Sequence, residues 1–172
     1  MEQRTEEWYA ARLGKVTASR VADVVAKTKS GYGASRANYM AELICERLTG
    51  VRGDSFVSAA MQWGTSTEPL ARTAYEFSLI GETVQETGFV PHHVISDSGA
   101  SPDGLVGEDG LVEIKCPNSA THIDTLLGDS VPAKYIYQMQ WQMACTGRRW
   151  CDFVSFDPRL PDNMQLFVKR VN

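Results

Sequence analysis

Ser101-Pro102-Asp103-Gly104, then Gly107-Glu108-Asp109-Gly110, then Leu111-Val112-Glu113-Ile114-Lys115-Cys116 is the stretch that decides the fold. The Pro-Gly corner and the Gly-Glu-Asp-Gly run are turn formers, so the chain reverses before residue 111. Leu111 to Cys116 reads as the return strand of a hairpin. Side chains alternate faces along a strand, so Glu113 and Lys115 share one face while Val112, Ile114 and Cys116 take the other. The apolar trio enters a core, and the charged pair faces a cleft near Asp103.

That grouping has a chemical logic. Two carboxylates suit a hard cation such as Mg²⁺, which takes oxygen ligands and keeps several waters. The backbone carbonyl of Ile114 offers a further oxygen. A cation there polarises a phosphoryl oxygen and lowers the pKa of bound water. The ammonium of Lys115 can orient that water or stabilise charge on the phosphate. Asp, Glu and Lys are common residues, however, so a bare Asp…Glu-x-Lys pattern is better explained by an ordinary surface strand. The rest of the chain has to decide.

The chain has 172 residues and a net charge of −4. That length fits one domain, residues 1–172, around a single core. The negative charge argues against a protein that coats DNA by bulk electrostatics, but not against a nuclease, which needs carboxylates and a local basic track. Lys27 with Lys29, and Arg148 with Arg149, are local basic clusters that are equally well read as solvated surface. No apolar run approaches the roughly 20 residues of a membrane span. The acidic start, Met1-Glu2-Gln3-Arg4-Thr5-Glu6-Glu7, lacks the apolar segment of a signal peptide, so a cytoplasmic protein is expected. Cys45, Cys116, Cys145 and Cys151 form no C-x-x-C pair and are expected to be reduced, mostly buried thiols rather than zinc or cluster ligands.

Periodicity predicts helices over 6–13, 36–48, 68–79, 119–127 and 133–145, with Gly14, Gly50 and Gly81 as stops. A further short helix carries Val21, Val24 and Val25, with Thr17 or Ser19 as its cap. Strands are expected over 83–91, 93–100, 111–116, 150–156 and 165–171, and a loop over 30–34. Helices lead, strands occupy the middle, and the two then alternate. The class is α/β or α+β, with a central mixed sheet flanked by helices.

An ordered set of motifs carries a family resemblance. It begins with Trp8…Arg12-Leu13-Gly14…Thr17-Ala18-Ser19 and continues with Trp63-Gly64…Glu68…Ala71-Arg72. Ser101-Pro102-Asp103-Gly104-Leu105, Glu113-Ile114-Lys115-Cys116-Pro117, Tyr135…Gln138-Met139-Gln140 and Asp157-Pro158-Arg159 complete it. In this order they resemble the phage lambda exonuclease family, the YqaJ-type viral recombinases of the PD-(D/E)xK nuclease superfamily, from about residue 7 to about residue 159. The resemblance implies a restriction-endonuclease-like core and a Mg²⁺-dependent exonuclease. Such an enzyme digests one strand of duplex DNA from a 5′ end to mononucleotides and leaves a 3′ overhang. It also implies a homotrimeric ring that threads DNA, and a single-strand annealing protein as partner in recombination.

Carried onto this sequence, the resemblance makes Asp103 and Glu113 metal-binding carboxylates, with the Ile114 carbonyl beside them, and Lys115 the catalytic lysine. Two Mg²⁺ ions are implied, with Mn²⁺ able to substitute. Glu68 becomes a further acidic residue near the metals; without the resemblance it is a helix N-terminal charge. Arg12, Ser19, Ser101 and Gln138 match a pocket for the terminal 5′-phosphate, a task suited to an Arg fork and neutral donors. Each has a plainer reading, since Arg12 could pair with Glu6 or Glu7, Ser19 could cap a helix and Gln138 could be solvated. Met61 matches an apolar wedge between terminal base pairs and reads equally well as core filler. Lys29 matches a duplex-tracking base in a loop, or a solvated lysine.

The sequence also departs from the family pattern. Thr121 stands where a basic residue is expected, the helix of Gln138 and Gln142 lacks a tyrosine common in bacterial relatives, and little chain follows Arg159. Two other activities compete: a RecB- or Cas4-like nuclease acting on single strands or flaps, and a catalytically silent DNA-end-binding subunit.

Overall fold

The computed structural model describes residues 1–53, 57–79 and 81–172. The chain gathers into two compact units, one of Met1–Ser55, Thr87–Pro102 and Ala133–Gly147, the other of Phe56–Glu86, Asp103–Pro132 and Arg148–Asn172. Elements are numbered in chain order across both.

The first unit opens with α1 (Glu6–Arg12). Thr5 caps it by accepting the Trp8 N–H, and Glu6, Glu7 and Arg12 sit where the helix dipole favours their charges. Gly14, at φ +66°, then turns the chain where a side chain would strike Arg47. β1 (Val16–Thr17) follows, then a 3₁₀ turn over Ala18–Arg20 and α2 (Val21–Val25). The predicted 30–34 loop contains strand β3 (Gly31–Tyr32), which pairs with β2 (Lys27–Thr28) and leaves Lys29 in an exposed turn. α3 (Ala34–Thr49) ends at Gly50 in the left-handed conformation. Its apolar pattern overstated its core contact: Tyr39 is buried, but Met40, Ile44 and Leu48 are exposed.

β5 (Val90–Pro91) and β6 (Ser98–Ala100) complete a three-stranded sheet in the order β1-β6-β5, with β1 and β6 parallel. The strand predicted over 93–100 is therefore confined to its last three residues. α6 (Ala133–Thr146) packs on β6 and the 3₁₀ turn, where Ala18, Ala100 and Cys145 form a small core with Val90 and Trp141.

The second unit is built on a mixed five-stranded sheet. Its members are β4 (Val84–Gln85), β7 (Gly104–Val106), β8 (Gly110–Lys115), β9 (Trp150–Phe156) and β10 (Leu166–Val171), ordered β10-β9-β8-β7-β4. Only β8 and β9 pair in parallel. The predicted strand over 83–91 is thus split between β4 and β5, which belong to different sheets. α4 (Ala59–Ser78) covers one face, its Ala71 and Tyr75 meeting Val112, Ile114, Cys116, Val154 and Phe156. Tyr75 also donates to Asp152 at 2.7 Å, and Arg170 grips the same carboxylate with two bonds of 2.8 and 2.9 Å. α5 (Ser119–Gly128) supplies the buried His122, bonded to Ser155 of β9 at 2.7 Å and to the Met164 carbonyl at 2.8 Å. Among the described residues no helix is long and apolar enough to cross a membrane.

Candidate active site

The hairpin read from the sequence is present. β7 and β8 pair antiparallel with Gly104 opposite Val112, and Gly107 turns the chain at φ +51°. Arg148 fastens the turn from outside, donating to the carbonyls of Val106, Gly107 and Gly110 at 3.2, 2.9 and 2.7 Å. Neighbouring Arg149 pairs with Asp109. This basic cluster holds the hairpin rather than forming a free cationic track.

Asp103 immediately precedes β7. Its Oδ2 accepts the Ile114 N–H at 2.7 Å, two residues past the last β7–β8 pair. β7 has ended by then, so the side chain satisfies a backbone donor that lacks a strand partner. Glu113 is wholly buried and ion-paired with Lys115, which is about one-quarter exposed at 28 %. The structure refines the sequence reading: Glu113 has no solvent-accessible surface, while Lys115 on the same face stays partly open to solvent. Val112, Ile114 and Cys116 do share the opposite, apolar face.

Glu68 lies on α4, bonded at 3.2 Å to Arg72, whose other arm holds Glu86. Glu68 acts on Asp103 through its charge. Burial, then the negative charges of Glu113 and Glu68, push the Asp103 carboxyl well above its ordinary pKa, against the opposing pull of Lys115 and the Ile114 N–H. Carboxylates crowded until one resists ionising are a common device of catalytic sites.

Among the described residues, no three His, Cys, Asp or Glu side chains form a ready-made ligand set. A cation here would rest on Asp103, Glu113 and the Ile114 carbonyl, with Glu68 in electrostatic range. The donors are all oxygen, and their mutual repulsion is what a hard divalent ion relieves, so the residues fit Mg²⁺ or Mn²⁺.

The first unit holds the other candidate group. Ser101 Oγ accepts from Trp8 Nε1 at 2.9 Å and from Arg12 at 3.2 Å. The Arg12 guanidinium lies 3.9 Å over the Trp8 ring. Arg12 and Ser101 are therefore together, and burial pulls the Arg12 pKa below its usual value. Ser19 is exposed in the 3₁₀ turn just beyond β1, its hydroxyl 3.4 Å from that of Thr17, and no contact joins it to Ser101. Gln138 lies half-buried on α6, which packs on β6 and the 3₁₀ turn. The sequence reading assigns Trp8 no role, although its spacing of four from Arg12 on α1 puts the two side chains on one helix face. Met61 is exposed in the first turn of α4.

A family profile described as the YqaJ-like viral recombinase domain matches residues 7–149. The chain belongs to the YqaJ-like viral recombinase family. The fold agrees with two crystal structures of LHK-Exo, an alkaline exonuclease from Laribacter hongkongensis, one of them in complex with dAMP. The identity is 61 % in both cases, over 97 % of this chain and 81 and 82 % of that one, with TM-scores of 0.89 and 0.90. A phage-related exonuclease from Haemophilus somnus 129PT shares the fold at 16 % identity, with a TM-score of 0.72 over 92 % of this chain and 84 % of that one. No curated protein sequence matches the chain.

Proposed function

We propose that the protein is a Mg²⁺-dependent 5′-to-3′ exonuclease. It digests one strand of linear duplex DNA to mononucleotides and leaves a 3′ single-stranded tail for recombination by strand annealing. Family membership and the 61 % identical alkaline exonuclease support the coarser statement that it is a nuclease of exonuclease type. The observation that carries the chemistry is the Asp103–Ile114 bond beside the buried Glu113–Lys115 pair at the end of one hairpin.

Asp103, Glu113 and the Ile114 carbonyl would hold the cation, with Glu68 adding negative charge. When bound, such an ion supplies Lewis-acid stabilisation of the phosphate and an acidified water. Lys115 brings a positive charge to the same strand end, suited to orienting the attacking water and to offsetting charge on the phosphoryl oxygens. Asp103 is fixed by a backbone N–H and Glu113 by burial, so little reorganisation is needed at the moment of reaction. Arg12 and Ser101, with Ser19 and Gln138 as further neutral donors, form the receptor for a terminal 5′-phosphate. Lys29 and Met61 are exposed and available to DNA, Lys29 to its backbone and Met61 to its terminal base pair.

The same reading makes residues 1–172 one nuclease domain, acting in the cytoplasm of a bacterial host as a ring-shaped trimer with an annealing protein. Digestion of linear duplex labelled at either the 5′ or the 3′ end tests the polarity. Early release of 5′ label as mononucleotide, only with Mg²⁺ or Mn²⁺, is expected. Early release of 3′ label, or preference for single strands, would overturn it.

A further inference from the structure

Three side chains from the first twelve residues converge on the dipeptide Ser101-Pro102. Gln3 donates its carboxamide N–H groups to the Thr87 carbonyl at 2.9 Å and to the Pro102 carbonyl at 2.7 Å. Trp8 and Arg12 donate to the Ser101 hydroxyl at 2.9 and 3.2 Å. Ser101 and Pro102 lie past the end of β6. Pro102 has no N–H with which to join a strand ladder, so its carbonyl is the group by which it can be tied. All of these residues belong to the first unit.

The backbone around Gln3 is shaped to bring it there. Arg4 adopts φ +67°, a left-handed conformation that a residue other than glycine keeps only where its surroundings hold it. Thr5 closes this turn by donating to the Glu2 carbonyl at 2.9 Å. Gly88 allows a close approach, because the Met1 carbonyl oxygen stands 2.5 Å from where a side chain at 88 would begin.

A serine hydroxyl has two lone pairs and one proton. At Ser101 both lone pairs are engaged, by Trp8 and by Arg12, so the proton is left to donate. A phosphate oxygen is an acceptor, and its bond to a hydroxyl is short and weakens steeply with angle. The direction in which Ser101 donates is set by the backbone that carries it, and Gln3 anchors that backbone one residue on.

We propose that Gln3 is a positioning residue, which clamps the Pro102 carbonyl and so aims the Ser101 hydroxyl at the terminal phosphate of a DNA end. The proposal rests on the reading of Arg12 and Ser101 as the phosphate receptor. It adds a residue that acts through Ser101 rather than by touching the substrate.

Three substitutions separate clamping from packing. Gln3→Met keeps the length and loses both donors. Gln3→Glu keeps the shape and turns a carboxylate toward two carbonyl oxygens. Gln3→Lys keeps a donor able to bridge both. Initial rates on linear duplex with 5′-phosphate or 5′-hydroxyl ends are compared, and their ratio reports the receptor. Gln3→Met and Gln3→Glu should shrink the ratio at least about tenfold, the scale of a small misplacement at a binding group. Gln3→Lys should restore most of it. The indole N–H signal of Trp8 in ¹⁵N-labelled protein, assigned by Trp8→Phe, reads the same clamp without turnover. It should move in Gln3→Met and Gln3→Glu and return toward its wild-type position in Gln3→Lys. An unchanged ratio in Gln3→Met, or equal slowing at both kinds of end, would overturn the assignment. If the wild-type protein digests both ends equally, the phosphate receptor itself falls. If the wild type discriminates and Gln3→Met discriminates as well, the role of Gln3 alone is removed.

Discussion

Asp103 Oδ2 accepts the main-chain N–H of Ile114 at 2.7 Å, which ties the residue before β7 to β8 beyond the point where the two strands part. One side chain thereby completes the hairpin and sets a carboxylate beside Glu113. The two roles separate by substitution. Asp103→Asn can still accept the N–H but loses the charge, so it should retain wild-type stability while duplex cleavage falls at least about 10³-fold, the scale expected when electrostatic stabilisation of a transition state is removed. Asp103→Ala should lose activity and also about 1–3 kcal/mol of stability, because a backbone donor is left unsatisfied. Urea unfolding and nuclease assays on the same preparations distinguish them.

Lys115 neutralises a carboxylate that has no access to solvent. Removing one partner of a buried pair costs about 3–5 kcal/mol. Lys115→Ala should therefore abolish cleavage and also destabilise the protein, with DNA-end binding largely retained. The double variant Lys115→Ala/Glu113→Gln should regain most of the stability but none of the activity. Recovery of cleavage in the double variant would count against a chemical role for the ammonium.

Arg12, stacked on Trp8 and bonded to Ser101, makes a separate prediction. Duplex ends bearing a 5′-phosphate should be degraded faster than ends bearing a 5′-hydroxyl. Arg12→Gln should erase that difference chiefly by slowing the phosphorylated substrate. Lysine at this position should not restore it fully, since lysine lacks the planar fork that stacks and bonds at once. Equal wild-type rates on the two ends would remove the pocket.

Asp157 offers a pH test of stability. Its side-chain bonds to Arg159, aided by Ser119 and the Arg159 N–H and opposed by burial, hold its pKa down to about 2. An unfolded aspartate titrates near 3.9. The folded value is the lower one, so the stabilisation is fully present above about pH 4 and is lost as pH falls through about 2. Asp157→Asn should flatten this part of the acid-unfolding curve, and urea midpoints measured between about pH 6 and about pH 2 would show it.

Much of this architecture was legible in the chain. β9 was predicted at its observed bounds because Trp150, Phe153, Val154 and Phe156 are β-favouring residues that outweigh Asp152. The helix stop at Gly50 was readable because that residue caps α3 in the left-handed conformation, and Gly14 takes positive φ just after the Leu13 cap of α1, whereas α4 is capped by an extended Leu79 rather than by Gly81. Other features needed tertiary contacts. The Glu68–Pro69 step looks like a helix start, since proline favours first-turn positions. Yet α4 begins at Ala59 under a Ser58 cap and carries Pro69 in its interior. Alternation along β8 placed Glu113 and Lys115 on one face but could not show Glu113 to be buried there. Glu113 is buried because Lys115 accompanies it, a pairing that local pattern does not encode. Arg148 was read as surface charge, whereas its three carbonyl acceptors are clustered only once the hairpin has formed. The Arg12–Ser101 contact spans 89 residues and was reached through family resemblance rather than through spacing.

Calorimetric titration of Mg²⁺, or Mn²⁺ as its substitute, into the wild-type protein and Asp103→Asn, run in buffers of different ionisation enthalpy, addresses the central claim most directly. The crowded carboxyl at 103 sits above its usual pKa, so binding in the wild type should release protons near neutrality, and both the uptake and the release should vanish in the variant. Absence of uptake in the wild type, or identical uptake and proton release in the two proteins, would contradict the assignment of this hairpin as the metal site.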